Sequence, residues 1–319
     1  MLRLPSVGLL WRALGALALG CTPPAPRASP LRPPPAFLHV PIGLCEDYPE
    51  ESRSLAGARR DFEVLREMGL HTLRVSLGWD GIEPERGRYD FAFWDEFVKL
   101  SEEYEVTLVP YVAYTPEWNS SGTPADFWRR PPRDLDVFAE LMARLAQRYR
   151  GRIHSWELWN EPDNPQYWLA GAGEYAELAR RGAEALRAAD PELQVVSGGL
   201  AGHIAFLSEL FDRFDAGRWF DVINLHSYYE TWNPEPLETI PSYVDEAAQI
   251  IRRHAGRQAI WMAELGYGNY RAGARVSEST TAHFAHEHTL EYQAVALVRS
   301  LSLLLSSGEV SLIAWYELK

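Results

Sequence analysis

Trp156-Glu157-Leu158-Trp159-Asn160-Glu161-Pro162-Asp163 is the stretch that decides how the rest of the chain is read. From Ile153 the residues alternate as a strand, with Trp159 and Glu161 on one face and Leu158 and Asn160 on the other. Neighbouring strand residues point apart, so Asn160 and Glu161 reach one ligand only if the strand turns irregular at its end, as strands beside active sites do. Pro162 has no N–H for the ladder and marks that end. Glu161 is thus a candidate catalytic acid. The plainer alternative is a Glu at a strand exit satisfied by a loop partner.

On either side of this stretch, short apolar or β-branched runs alternate with amphipathic ones. Strands are expected over 37–43, 71–77, 107–112, 153–159, 194–197, 220–225, 259–263 and 311–315. Helices are expected over 56–68, 91–104, 135–149, 173–189, 204–214, 243–254 and 291–306. Eight strands alternating with seven helices predict an α/β protein, a parallel sheet wrapped in helices. Lys319 follows Trp315 too closely for an eighth helix, and the expectation is a sequence that stops short, because parallel barrels are covered by helices all round.

Asn160-Glu161-Pro162 preceded by Trp156-x-x-Trp159 resembles the fourth strand of the clan A retaining glycoside hydrolases. The resemblance implies a (β/α)8 TIM barrel with Glu161 as general acid and base. A second carboxylate is offered by Ile260-Trp261-Met262-Ala263-Glu264-Leu265-Gly266, an apolar strand with a Glu at its exit followed by a glycine that lets the backbone turn. Glu264 resembles the seventh-strand nucleophile of the clan. Such a pair is what retention needs: one carboxylate attacks the anomeric carbon and one acid protonates the departing oxygen, with the carboxyl groups about 5–5.5 Å apart. One negative charge also raises its neighbour's pKa, which keeps Glu161 protonated for its first task.

Arg74 is a charge inside the apolar run Leu73-Arg74-Val75 and needs a buried acid. It resembles the second-strand Arg that keeps the clan's nucleophile ionised, while a salt bridge to Glu157 is the equal structural alternative. By the same resemblance Asn160 would bond the sugar 2-hydroxyl. His226 and Tyr228 match the sixth-strand His-x-Tyr, with the phenol on the nucleophile, and Trp315 would floor the sugar site. Trp79 joins these as a substrate-binding candidate. It is one of many aromatics at expected strand exits, among them Trp118, Trp128, Trp159, Trp168, Trp232, Tyr114, Tyr167, Tyr229, Tyr267 and Tyr270. Any one of them is best read as packing under a loop. Collected at one rim they suit a ligand with C–H faces and hydroxyl edges, which is carbohydrate.

Pro131-Pro132-Arg133-Asp134, with Arg148-Tyr149 before the fourth strand, looks like the branch holding β-xylosidases, iduronidases and exopolysaccharide endoglycosidases. Tyr111-Val112-Ala113-Tyr114 lacks the third-strand His many members carry. Arg129, Arg130 and Arg133 could greet an acidic sugar, although basic residues before a helix are usually just solvated. His283, His286 and His288 match no zinc spacing and read as a polar rim loop, so no metal and no cofactor is expected. A carbohydrate-binding pseudoenzyme on the same barrel is the competing class, since fold alone does not exclude it.

The 319 residues carry a net charge of −13, which argues against nucleic-acid or anionic-membrane partners. Arg3 and Arg12 precede an apolar run over 13–20, which reads as an export signal and not a membrane span. Ala18-Leu19-Gly20-Cys21 resembles a lipoprotein cleavage box, with Ala18 where a larger aliphatic is usual. The expected organisation is a signal over 1–21, a proline-rich tether over 22–36 and a barrel over 37–319, placed in the periplasm or at the cell surface. Cys45 is the only other cysteine, which excludes a disulfide framework and suggests a small buried residue near the end of the first strand.

Overall fold

The structure, a computed structural model, describes residues 40–48, 54–269 and 286–317. The export signal, Cys21 and the proline-rich tether lie outside the described residues, as do Tyr270 and His283. No helix among the described residues is long and apolar enough to cross a membrane.

Eight strands form one closed parallel barrel in chain order: β1 (Ile42–Glu46), β2 (Thr72–Gly78), β3 (Thr107–Ala113), β4 (Ser155–Leu158), β5 (Gln194–Ser197), β6 (Val222–Ser227), β7 (Ala259–Leu265) and β8 (Val310–Tyr316), with β8 paired to β1. The helices are α1 (Leu55–Met68), α2 (Trp79–Ile82), α3 (Ala92–Glu103), α4 (Leu135–Arg148), α5 (Ala172–Ala189), α6 (Ile204–Phe214), α7 (Ile240–Arg253) and α8 (Leu290–Ser307). Apart from the four-residue α2, these are the seven helices expected from the amphipathic pattern. In α4, for example, Val137, Phe138, Leu141, Met142 and Leu145 recur at helical spacing and are all buried. Caps mark several ends: Ser54 accepts from Gly57 N–H at the start of α1, and Gly69 closes it at φ 69°.

Four strand boundaries differ from expectation for identifiable reasons. Of the expected first strand, 37–39 lie outside the described residues, and β1 follows Pro41, which cannot donate to a ladder but whose carbonyl accepts from Ile313 N–H at 3.0 Å. β6 and β7 run on through His226-Ser227 and Glu264-Leu265, because polar residues continue the ladder where apolar alternation has stopped. β4 closes at Leu158, because Trp159 takes a left-handed φ of 79°.

Side-chain alternation sorts the barrel wall into two packings. Cys45, Val109, Val196, Val222, Trp261, Ala263, Leu312 and Ala314 pack together inside the barrel. The intervening residues, such as Leu73, Val75, Val112, Leu158, Ile223 and Ile313, join the larger core beneath the helices. Arg74, Glu157 and Asn224 are fully buried as well, so the barrel interior holds charge that must be internally compensated. Cys45 is buried on β1 as expected.

Candidate active site

The chain after β4 supplies the irregularity that the Asn160–Glu161 pair requires. Positive φ at Trp159 (79°) and at Glu161 (45°) breaks the alternation twice. Both Asn160 and Glu161 then line a single cavity of about 370 Å³ at the C-terminal end of the barrel. Glu264, His226 and Tyr228 line the same cavity.

Glu264 is brought to the site by a local irregularity of its own. Leu225 pairs with Met262 but His226 pairs with Glu264, so Ala263 is an extra residue in β7 and the ladder shifts. The Tyr228 hydroxyl donates to Glu264 Oε1 at 2.7 Å, and Arg74 Nη1 donates to Oε2 at 2.7 Å. Arg74 also grips Glu157 through Nε and Nη2, both at 2.8 Å, and Nη2 donates to Asn160 Oδ1 at 2.9 Å. The two alternatives for Arg74 therefore coexist: its planar fork serves Glu157 and Glu264 at once. Its guanidinium lies over the Tyr111 ring, 4.4 Å from the centroid, and 3.3 Å from Cys45 Sγ.

Glu161 has different neighbours. His226 Nδ1 lies 3.0 Å from Oε1, and Asn164 Nδ2 donates to Oε2 at 2.7 Å. One carboxylate oxygen each from Glu161 and Glu264 and one His226 nitrogen all fall within 4.8 Å of one another. The environments push the two titrations apart. Burial raises the pKa of Glu161, with the nearby Glu264 charge adding to it and His226 and Asn164 opposing it. Burial acts on Glu264 as well, but His226, Arg74 and Tyr228 outweigh it and hold its carboxyl below the ordinary value. Glu161 is thus the group that keeps its proton and Glu264 the group that stays ionised.

Close approach of backbones makes this packing possible. A Cβ on Gly199 would stand 1.8 Å from His226 Nε2, and one on Gly266 would stand 2.3 Å from the Tyr316 carbonyl oxygen. Gly199 N–H also donates to Glu157 Oε1 at 2.9 Å.

Two sequence expectations are corrected. Trp79 does not reach the cavity. It opens α2, donates its indole N–H to Glu83 Oε2 at 2.7 Å, and packs against Phe138 and Trp118 in the helix layer. Trp315 is likewise in the outer core, because Ala314 and Tyr316 hold the inward phase of β8. Tyr316 lines the cavity in its place. The aromatic rim is made of tyrosines more than tryptophans: Tyr111, Tyr114, Tyr167, Tyr228, Tyr229 and Tyr316 line it, with Trp232. Trp159 and Trp168 pack on each other, buried, while Tyr267 stacks on His288 away from the cavity. Arg129, Arg130 and Arg133 do not line it either. Arg130 pairs with Asp126, and Arg129 donates to the Pro165 carbonyl.

The two described histidines before α8 do not line the cavity. His286 lies 3.7 Å from Glu230, and His288 bonds the Gly268 carbonyl at 2.8 Å. Among the described residues, the one grouping compact enough to hold a metal ion is Glu161–His226–Glu264 itself. Arg74 already places a fixed positive charge on Glu264 Oε2, which opposes a second cation beside that carboxylate.

Asn164, Asn224, Tyr111, Tyr316 and Asp47 were not singled out from sequence. Asp47 lines the cavity and accepts from the Tyr111 hydroxyl at 2.8 Å. Asn224 had a signal, a polar residue in phase with His226 within an apolar strand.

Comparison with known proteins gives one family. The description "Glycosyl hydrolases family 39" matches residues 36–251. Endo-1,4-beta-xylanase 2 of Claviceps purpurea is 29% identical over 102 residues, which is 31% of this chain and 30% of that one. A family 39 glycoside hydrolase from Bacteroides cellulosilyticus WH2 superposes with a TM-score of 0.66 at 18% identity, covering 87% of this chain and 56% of that one. A monomeric beta-xylosidase from Caulobacter crescentus CB15 does so with a TM-score of 0.68 at 17% identity, covering 87% and 60%. At these identities the structural likeness speaks to the barrel alone, and the chain spans only part of the length of these relatives.

Proposed function

Because the chain belongs to glycosyl hydrolases family 39, we propose that it hydrolyses O-glycosidic bonds of an oligo- or polysaccharide by double displacement. The observation that carries this reading is the pair of carboxylates on one cavity, with oxygens no more than 4.8 Å apart and their titrations driven in opposite directions. So near an approach of single oxygens suits the short spacing of retaining enzymes, about 5–5.5 Å between carboxyl groups, better than the roughly 6.5–9.5 Å that leaves room for an inverting water.

In the first step a Glu264 oxygen bonds to the anomeric carbon as the bond to the leaving oxygen breaks, and the Glu161 proton passes to that oxygen. In the second, water attacks the same carbon and gives a proton to Glu161, and the ester to Glu264 breaks to restore its carboxylate. Arg74 and Tyr228 keep Glu264 charged and oriented before attack, which favours the ionised nucleophile. Asn160 lines the cavity with its Oδ1 held by Arg74, which leaves its NH2 group to donate and suits a sugar hydroxyl beside the reacting carbon. The tyrosine rim suits the sugar's C–H faces and hydroxyls together.

A panel of aryl glycosides and polysaccharides, scored by released product and its length, tests the activity. Turnover of at least one β-linked or α-linked neutral or acidic member is expected, and no release from any member would overturn the reading. The N-terminal sequence supports export with a lipid on Cys21. Failure of the protein expressed in a bacterium to incorporate labelled fatty acid would count against that anchor.

A further inference from the structure

Asn224 lies on β6, fully buried, two residues before His226 and on the same face of the strand. Its carboxamide has one orientation open to it. The backbone N–H of Ala263 donates to Asn224 Oδ1 at 3.0 Å, and a backbone N–H cannot accept. The NH2 group must therefore face the other way, where Glu157 Oε1 lies 3.1 Å from it and His226 Nε2 lies 3.5 Å from it. A hydrogen on Nε2 would point at a donor, so Nε2 offers its lone pair.

We propose that Asn224 is a positioning residue that locks His226 in the tautomer with its hydrogen on Nδ1, and thereby aims the Glu161 proton at the glycosidic oxygen. The proposal rests on Glu161 being the acid of the double displacement. With hydrogen on Nδ1, the ring donates to Glu161 Oε1 at 3.0 Å. Asn164 donates to Oε2 at 2.7 Å, and its amide is pinned in the same manner, since Gln166 N–H donates to Asn164 Oδ1 at 3.0 Å. Both Glu161 oxygens thus receive a hydrogen from these neighbours, and neither neighbour can take one. A proton carried by Glu161 is left facing the cavity. In the opposite tautomer, the Nδ1 lone pair would hold that proton in an O–H···N bond or remove it, and the acid would be silent toward substrate.

The charges around the ring do not settle the tautomer by themselves. Burial disfavours the imidazolium and Arg74 adds to that, but Glu264, 3.6 Å from Nδ1, and Glu161 outweigh both and raise the His226 pKa above its ordinary value, so it is the packing on the Nε2 edge that opposes the second proton. Glu157 faces the same Asn224 amide from β4. An imidazolium would place a hydrogen on Nε2 against the Asn224 NH2, so Asn224 opposes double protonation as well as the wrong tautomer. On the Nε2 edge the ring also abuts the Gly199 backbone, where a Cβ would be 1.8 Å away.

Nitrogen-15 correlated NMR of the imidazole rings at about pH 7 reads the tautomer directly, with His226→Gln used to assign the signal. A protonated Nδ1 and an unprotonated Nε2 are expected; hydrogen on Nε2, alone or with Nδ1, would overturn the proposal. Asn224→Asp replaces the donor by an acceptor and should move the hydrogen to Nε2. In that variant kcat/KM for alkyl glycosides should fall by about 100-fold or more, while that for nitrophenyl glycosides, whose leaving groups need no proton, should fall by less than about 10-fold. Asn224→Leu removes the donor without adding charge and should give a tautomer mixture, with the same selectivity at smaller size. Equal losses on both substrate classes with an unchanged tautomer would make Asn224 merely structural and overturn the proposal. The two possible failures are distinct. A wrong tautomer in the native protein defeats the lock whatever the activity, whereas loss in Glu161→Gln that ignores the leaving group defeats the acid assignment beneath it.

Discussion

The chain ends β4 and β7 by different routes, and the two carboxylates they deliver differ accordingly. After β4 the backbone leaves the extended region at Trp159 and again at Glu161, and the carboxylate it presents is buried beside a histidine and an amide. β7 keeps its ladder through Leu265, takes up one extra residue, and presents Glu264 to a guanidinium and a phenol. The same residue type is therefore pushed toward acid at one strand end and toward anion at the other. Environment, more than identity, assigns the roles.

The comparison breaks most visibly at Glu264. Glu264→Ala should lower kcat by about 10⁴-fold or more, as removal of a covalent nucleophile does elsewhere, and added azide should restore product formation in the variant. A wild-type rate would end the distinction between the two carboxylates. Glu161→Gln should cost about 10²- to 10⁴-fold on poor leaving groups and much less on activated aryl glycosides, read from kcat/KM across a leaving-group series. A uniform loss across that series would mean that Glu161 is not the acid.

Arg74→Met sharpens the contrast by removing what holds Glu264 ionised. It also leaves Glu157 and Glu264 without their buried cation, a change worth about 3–5 kcal/mol in urea unfolding. The pH dependence should weaken. In the native protein the lowered pKa of Glu264 contributes stability that is present above its unfolded pKa and is lost as pH falls through the folded one. Without Arg74, His226 and Tyr228 still oppose burial, so that pKa should rise from its lowered position and this contribution should shrink and begin to be lost at higher pH. The acid limb of kcat/KM should move upward in parallel, by an amount that costs about 10- to 100-fold in rate on the acid side. An unmoved limb would show that Arg74 does not govern Glu264.

The barrel was legible because its signals are local. Period-two runs and helical apolar stripes each need only a window of the chain, and the eight strands and seven longer helices follow from them. The carboxylates and Arg74 were legible because a charge in an apolar strand demands a reason. What stayed hidden depends on phase or on distant neighbours. Trp315 and Tyr316 are adjacent, and only the register of β8 against β1 and β7 tells which faces inward. Trp79 looked like a rim residue until α2 turned it toward Phe138. Gly199 and Asn224 matter because β5, β6 and β7 meet around His226; the phase of Asn224 with His226 was readable within β6, but the meeting of the three strands was not.

The central claim is that Glu161 and Glu264 flank one sugar ring closely enough for a covalent intermediate. Proton NMR of the first sugar released from a substrate of known anomeric configuration measures this most directly, provided it is read before mutarotation. Release with the substrate's own configuration is predicted by oxygens lying within 4.8 Å; release with the opposite configuration would contradict it.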